Sequence, residues 1–152
     1  MKLKTFEHLN CSLAQTLSTV GEHWTLLIIR DVFFGLRRFD QFQKDLGIAR
    51  NVLSDRLKKL VAAGVLEKSS GTGHPEYRLT DKGLALQPIL VAMTQWGDTY
   101  LPDPAGIRLQ FIDRKDGKAI KPMGIYAADG RRLQPKDIKT KARTSHEHIM
   151  PL

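Results

Sequence analysis

Apolar residues along the first third of the chain recur at the three- and four-residue spacing of amphipathic helices. Leu13, Leu17 and Val20 indicate a first helix from about Ser12. We expect Ser12 to be its N-cap, with Gln15 completing a capping box. A second helix is predicted from the apolar stripe Trp24, Leu27, Ile28 and Val32, and Gly35 is expected to end it.

A helix, a tight turn, a second helix and a hairpin follow between residues 37 and 80. A short helical segment is expected to end at Leu46, and Gly47 and Ile48 form the turn. The helix over about 50–63 buries the stripe Leu53, Leu57, Leu60 and Val61. Two strand-like runs over 65–68 and 76–79 enclose a tip with two Gly and one Pro. This order predicts a winged helix-turn-helix, whose second helix fits a DNA major groove.

The outer face of the 50–63 helix carries side chains suited to reading DNA. Arg pairs with guanine, Asn with adenine and Ser with several base edges, whereas an acidic residue accepts from cytosine or a neighbouring Arg. We therefore assign DNA contact to Arg50, Asn51, Ser54, Asp55 and Lys58. An ordinary solvated helix face is the alternative interpretation of these five residues.

Basic residues also flank the rest of the motif. Lys68, His74 and Arg78 lie on the wing, over 66–79, where they would reach phosphates or a minor groove. Arg37 and Arg38 precede the positioning helix and could clamp phosphate. For the wing residues the alternative is a plain exposed hairpin. For Arg37 and Arg38 the alternative is that one of them forms an ion pair with Asp40 or Asp31.

The segment after the wing is expected to be one helix, with Thr80 as its N-cap and a kink at Pro88. Its apolar residues lie on more than one face, which favours a second covering surface. We predict a dimer interface in which Leu90, Met93 and Trp96 meet Phe6, Leu9, Leu13 and Leu17. The alternative is that all of these residues fold inward.

Several ordered motifs resemble the HxlR-type winged-helix transcriptional regulators, which are related to the MarR type. The resemblance covers about residues 11–100 and rests on GEHWTLLIIR at 21–30, GLRRFD at 35–40, LSDRLKKL at 53–60, GVL at 64–66, YRLTDKG at 77–83 and WG at 96–97. It implies a small bacterial homodimer that binds double-stranded DNA at an operator, with its N-terminal and post-wing helices forming the subunit contact.

The resemblance also directs attention to Cys11. Some HxlR-type regulators have an early cysteine that senses oxidants or electrophiles, so an oxidant or small-molecule effector is a possible partner. A helix N-terminus favours the thiolate, which is the reactive form. Inert cysteines are nevertheless common, and the interpretation of Cys11 as a redox sensor stands beside that alternative.

Composition and charge refine the domain prediction. A chain of 152 residues with 41% hydrophobic residues suffices for one domain with a core. The net charge of +8 is uneven: residues 1–100 hold 13 Lys and Arg against 10 Asp and Glu, and residues 101–152 hold 11 against 6. We expect a DNA-binding and dimerisation domain over 1–102 and a basic extension over 103–152 that adds attraction to phosphate.

The extension is expected to contain a β-hairpin over 107–134 followed by a flexible tail. Strand-like runs at 108–112 and 121–127 lie beside Asp-Gly turn signals at 116–117 and 129–130. Some HxlR-type proteins carry cysteines near such turns, where this chain has Asp116 and Asp129, which argues against a metal role. His146, Glu147 and His148 are too few and too isolated for a metal site. The predicted fold class is α+β, mainly helical: a winged helix-turn-helix with a small C-terminal β-hairpin extension.

The sequence contains no recognisable catalytic motif, and we expect neither an enzyme nor a cofactor or metal requirement. No apolar run is long enough to span a membrane and no leader is recognisable, so a cytoplasmic protein without a membrane partner is predicted. The expected function is DNA-binding transcriptional regulation at an inverted-repeat operator. The alternative is a winged-helix module that binds another protein without sequence-specific DNA binding.

Overall fold

The computed structural model describes residues 6–71 and 73–141. In this part of the chain the helices are α1 (Ser12–Val20), α2 (Thr25–Phe33), α3 (Phe39–Leu46), α4 (Arg50–Ala62), α5 (Asp81–Leu84) and α6 (Gln87–Tyr100). Two antiparallel pairs accompany them, β1 (Leu66–Lys68) with β2 (Tyr77–Leu79) and β3 (Ile125–Tyr126) with β4 (Arg132–Leu133). The mainly helical α+β class and the winged helix-turn-helix are confirmed.

The core is built from the inner faces of α2 and α4 together with the base of the wing. α4 contributes Leu53, Leu57 and Leu60, all nearly inaccessible to solvent, as the apolar periodicity predicts. The other buried members of the cluster are Val20, Ile28, Ile29, Val32, Phe42, Ile48, Val65, Leu66 and Tyr77. Because one face of α4 is fully buried here, its opposite face is held outward.

The turn between α3 and α4 has the predicted form. Gly47 adopts φ 63°, a left-handed conformation that glycine takes at little cost, and its N–H donates to Gln43 O. Ile48 is buried directly after it, and Ala49 is the N-cap of α4. Burial of Ile48 fixes the turn to the core. The turn then sets the direction of α4 relative to α3.

The wing is joined to the body at the start of α3. Leu66 pairs with Leu79, and Lys68 with Tyr77. Tyr77 N–H also donates to Arg37 O at 2.7 Å, and an isolated bridge links Arg38 to Glu76. The second wing strand therefore runs between β1 and the residues that lead into α3, which brings wing and helix-turn-helix together.

The start of α1 differs from the sequence prediction. Ser12 is the first helical residue and Cys11 occupies the N-cap position, with no side-chain hydrogen bond capping the helix. Gln15 does not form a capping box, because its Nε2 donates to the carbonyls of Glu7 and Leu9 instead. The side chain thus ties the preceding loop to α1, and the predicted Ser12 cap is wrong.

The loop from α1 to α2 contains an unusual backbone conformation. Trp24 has φ 78°, the only positive φ at a non-glycine residue in 6–71 and 73–141. Bulky residues rarely adopt this conformation, so surrounding contacts must hold it. His23 packs edge-on against the Trp24 ring with centroids 5.1 Å apart.

The segment after the wing is two helices instead of one kinked helix. Thr80 caps α5 as predicted, since its Oγ1 accepts from Gly83 N–H. α5 ends at Leu84, and α6 begins at Gln87, so Pro88 lies in the first turn of a new helix. That is where Pro is tolerated, because the N–H it lacks has no partner within the helix.

Contacts within the chain define two compact units, one ending at Leu90 and the other beginning at Val91. The extension in the second unit contains two short reversals in place of one hairpin over 107–134. Ile112 bridges Ala119 around the first Asp-Gly turn, and β3 pairs with β4 around the second. In each turn the Asp Oδ1 accepts from the backbone N–H two residues on, at Lys118 and Arg131.

A small hairpin is therefore present in the extension, shorter than expected. Among the described residues of 101–141, none is buried. His146, Glu147 and His148 lie outside the described residues. The described residues include no helix long and apolar enough to cross a membrane.

One buried ionic group links α2 to α3. Asp31 has a side chain only 1% exposed, and its Oδ1 accepts from Arg30 Nε at 2.9 Å and Nη2 at 2.6 Å. Arg30 Nη2 also donates to Asp45 Oδ2 at 3.1 Å. Asp31 Oδ2 has no hydrogen-bond partner within the described part of the chain. Burial raises the pKa of Asp31 above its ordinary value, the nearby Asp45 charge adds to this, and Arg30 opposes it.

The raised pKa of Asp31 predicts a pH-dependent cost to stability. The folded pKa of Asp31 exceeds its unfolded value of about 3.9. The protonated carboxyl therefore contributes fully to stability below that value, and this contribution is lost as the pH rises through the folded pKa. Asp31→Asn keeps the shape without the charge. We expect it to raise the free energy of unfolding at pH 7 by about 1 kcal/mol, because it removes the cost of burying a charge. Urea unfolding between pH 3 and 7 measures this.

The gain of Asp31→Asn over the wild type should shrink as the pH approaches 3. Glu67→Gln, at an exposed position of β1, is the matched control and should change little at any pH. A lower stability of Asp31→Asn at pH 7 would show that the ionised carboxylate stabilises the fold.

Candidate nucleic-acid interface

The outer face of α4 presents polar side chains at its N-terminal end. Arg50, Asn51 and Lys58 are exposed, and Ser54 is half-buried. Within the described residues, the Asn51 amide and the Ser54 hydroxyl make no hydrogen bond to the protein. The carboxamide and hydroxyl are thus available to a ligand whose edges carry both donors and acceptors, as base edges do.

A cleft of about 490 Å³ lies between this end of α4 and the wing. Of the ten residues assigned to DNA contact from sequence, the structure brings six together here: Arg38, Arg50, Ser54, Lys58, Lys68 and His74. The remaining lining residues are Phe39, Asp40, Pro75 and Tyr77. Four permanent cations and one carboxylate therefore surround one depression, which favours an anionic ligand.

Aromatic rings lie beneath two of these cations. The Arg50 guanidinium lies 5.1 Å from the centroid of the Phe39 ring, and Lys68 Nζ lies 5.9 Å from that of Tyr77. Both separations are within the range of cation–π attraction. Tyr77 is itself buried and contacts Phe42 edge-on. The rings restrict where the two cations can lie.

Asp55 is engaged within the protein. Its Oδ2 accepts from Arg56 Nη1 at 2.6 Å and lies 3.2 Å from Lys59 Nζ. The hydrogen bond from Lys59, one helical turn away, holds the pKa of Asp55 below its ordinary value. The carboxylate is therefore ionised at neutral pH and already neutralised by its own helix.

The same group ties α4 to the loop before α2. Arg56 Nη1 lies 2.7 Å from Glu22 Oε2, and Arg56 Nε donates to His23 O at 3.0 Å. Lys59 Nζ donates to Glu22 Oε1 at 2.9 Å, and this bond raises the pKa of Lys59. The carbonyl of His23 immediately precedes the strained Trp24, so Arg56 holds that loop as well as the helix.

The three other arginines among the predicted DNA contacts have different surroundings. Arg37 Nη1 donates to Val32 O at 2.6 Å and to Leu36 O at 3.2 Å, so its guanidinium caps the end of α2. It is not paired with Asp40 or Asp31. Arg78 Nη2 lies 3.1 Å from Glu76 Oε2. The Arg38 guanidinium forms no ion pair with the described residues, which leaves its charge available to a ligand.

The remaining sequence assignments are not among the residues that line the cleft. Cys11 is exposed at the start of α1. The residues assigned to a dimer interface are exposed apolar side chains, except Leu90, which is half-buried against the core: Phe6, Leu9, Leu13 and Leu17 near α1, and Met93 and Trp96 on α6. The described residues contain no group of three or more His, Cys, Asp or Glu placed to hold a metal ion.

Sequence reasoning missed the aromatic and ionic residues that position the site. Phe39 follows two arginines, and Tyr77 lies opposite Lys68 in the predicted hairpin, so alternation of basic and aromatic residues was an available signal. Arg56 and Glu22 are separated by 34 positions, and no local pattern connects them. Their pairing emerges only from the fold.

Comparison with known proteins agrees with this geometry. Residues 19–104 match the family model of the HxlR-like helix-turn-helix. An uncharacterised HTH-type transcriptional regulator of Mycobacterium tuberculosis is 40% identical over 130 residues, which cover 84% of this chain and 82% of the relative. A Bacillus subtilis regulator of the same description, YvaP, is 34% identical over 95 residues, 60% of this chain and 87% of the relative.

Solved structures of transcriptional regulators are also similar to this chain. PA1607, assigned as a transcription factor, superposes with a TM-score of 0.85 at 39% identity and covers 92% of this chain and all of that one. The redox regulator HypR in its reduced form has a TM-score of 0.56 at 27% identity, over 59% of this chain and 92% of its own. The relatives are transcriptional regulators and not enzymes. With an exposed polar face on α4 and a basic cleft beside it, this chain belongs to the HxlR-like helix-turn-helix family of DNA-binding transcriptional regulators.

Proposed function

We propose that the protein binds an inverted-repeat operator as a homodimer, with α4 in the major groove and the wing on the flanking backbone. The observation that carries this proposal is the division of α4 into two faces. One face is buried by Leu53, Leu57 and Leu60, and the other presents Asn51 and Ser54 beside a basic cleft. A regulator of this kind acts in the bacterial cytoplasm, where its DNA lies.

Asn51 and Ser54 are the base readers in this proposal. They are one helical turn apart, so they would follow the same edge of the groove. Asn forms paired hydrogen bonds with adenine, which distinguish it from the other bases. Asp55 does not take part, because Arg56 and Lys59 already neutralise it.

The proposed homodimer rests on exposed apolar side chains of two helices. On α1, Leu13 is 67% exposed and Leu17 lies one turn later on the same face. On α6, Met93, Trp96 and Tyr100 recur at helical spacing and are also exposed. Apolar stripes of this kind are stabilised when a second copy covers them, and a two-fold axis would then present two α4 helices to one side of DNA.

An oxidant or electrophile is the proposed effector, acting at Cys11. HypR is a redox regulator, and YodB, whose structure at 30% identity has a TM-score of 0.52, is bound to a quinone. Cys11 is the only cysteine of this chain, and its thiol is exposed beside α1. Modification there would alter a helix that carries part of the proposed dimer face.

Asn51→Ala should lose about 1–3 kcal/mol of binding free energy on the preferred operator and relax its sequence preference. The operator is first selected from a random DNA pool, and affinities are then measured by fluorescence anisotropy at fixed salt concentration. Lys44→Ala, at an exposed position of α3 outside the cleft, is the control. Equal losses on operator and random duplexes would refute base reading by Asn51. Weak, uniform binding by the wild type would favour the protein-interaction module instead.

Trp96→Glu should convert a dimer into a monomer, because a charge would have to be buried in the apolar contact. Sedimentation equilibrium at micromolar concentration measures the state of each variant. Phe34→Glu is the matched control, at an exposed aromatic residue at the end of α2, and should remain dimeric. The selected operator should contain half-sites about 10 base pairs apart, or a multiple of that. A wild-type monomer that retains full operator affinity would contradict the dimer.

Treatment with a quinone or hydroperoxide should change the operator affinity of the wild type and leave that of Cys11→Ser unchanged. Mass spectrometry of the treated protein identifies the modified residue, and a reducing agent should restore affinity if the product is a disulfide. An equal response of both proteins, or no response after complete modification of Cys11, would remove this cysteine from regulation.

A further inference from the structure

The cleft between α4 and the wing has an excess of positive charge that the protein does not neutralise. Arg38, Arg50, Lys58 and Lys68 line it, and Asp40 is the single carboxylate among the lining residues. Nearby acids are engaged elsewhere in the described chain, Glu76 with Arg78 and Asp55 with Arg56 and Lys59. Like charges gathered around a depression repel one another, and an anion bound among them relieves that repulsion.

Two of the cations come from different elements and are held on aromatic rings. Arg50 is the first residue of α4 and lies over Phe39, the first residue of α3. Lys68 ends β1 and lies over Tyr77 of β2. Each ring occupies the volume beside its cation and limits the rotamers of a long side chain. The charges are thereby arranged before any ligand arrives, which reduces the entropy lost on binding.

We propose that this cleft is a clamp for one backbone phosphate of DNA, in which Phe39 and Tyr77 hold Arg50 and Lys68 in place. The inference rests on the proposed function and deepens it by giving Arg50 a role different from the guanine reading expected from sequence. Arg50 binds the phosphodiester, Phe39 is its positioning residue, and the base readers are Asn51 and Ser54 alone.

The position of the Arg50 guanidinium distinguishes phosphate binding from base reading. Its contact with Phe39 places it against the start of α3, in a cleft walled on its other side by the wing. In that cleft the guanidinium lies among three other cations, Arg38, Lys58 and Lys68, an arrangement that suits an anion better than an uncharged base edge. A phosphodiester instead offers two non-bridging oxygens to a planar guanidinium, which is the geometry that Arg binds best.

The test uses a duplex of the selected operator in which single phosphates are replaced by uncharged methylphosphonates. One replacement in each half-site should weaken wild-type binding about tenfold per half-site, the loss of one charge-assisted contact in each. Arg50→Gln should lose a similar factor on the unmodified duplex and be indifferent to that replacement, because the two changes remove the same contact. The ranking of base variants of the operator should stay unchanged.

Phe39→Leu tests the positioning role, since it keeps an apolar residue and removes the ring. It should reduce operator affinity while Arg50 is present and have no further effect in Arg50→Gln. Lys44→Gln removes one charge from α3 outside the cleft and should retain sensitivity to the replacement. Melting temperatures verify that each variant is folded. A loss in Arg50→Gln confined to operators with one particular base pair, with methylphosphonate sensitivity intact, would overturn the clamp.

A free phosphate ion has the same chemistry as the DNA phosphate, and a second measurement separates them. Inorganic phosphate is titrated into the full chain while NMR signals of Arg50 and Tyr77 are followed. If no selective DNA binding exists but millimolar phosphate shifts these signals in the wild type and not in Phe39→Leu, the proposed function fails and the cleft is a site for free phosphate. If Arg50→Gln changes neither the binding of DNA nor the binding of phosphate, the clamp is refuted.

Discussion

The burial of one face of α4 is the constraint on which the rest of the structure depends. Leu53, Leu57 and Leu60 are at most 1% exposed, so the helix cannot rotate about its axis without exposing them. A shift of one residue along an α-helix turns a side chain by about 100°, which would move Asn51 away from the outer face. The polar face is thus specified by hydrophobic packing on the other side.

Ionic and aromatic contacts further restrict the orientation of α4. Arg56 and Lys59 fasten the middle of α4 to Glu22, while Arg50 at its start lies on Phe39 of α3. Exposed ion pairs contribute little to stability individually, but the Arg56 side chain is only 16% exposed and has three partners. Such an arrangement favours one orientation of the helix over closely related ones.

Much of the fold could be predicted because its signals are local. The periodicity of Leu53, Leu57 and Leu60 and the glycine at position 47 identified α4 and the turn before it within one residue. The failures occurred where more than one local arrangement was available. Gln15 donates to the loop before α1 instead of completing a cap, and the pairing in the extension is divided between two Asp-Gly turns. In the candidate site the basic residues were evident from sequence, whereas the pairing of Arg56 and Lys59 with Glu22, which lies far from them along the chain, depends on tertiary contacts.

A substitution in the extension costs less folding free energy than one in the buried core of the chain. The backbone hydrogen bonds of the extension close short loops, such as Asp113 to Lys118 and Ala127 to Arg131, and its described residues over 101–141 include none that is buried. Large losses of folding free energy come mainly from buried positions, so most changes in this segment have little effect on folding. Selection for a folded protein therefore restrains the sequence of the extension weakly. The family model, which ends at residue 104, covers the part of the chain that contains the buried core residues.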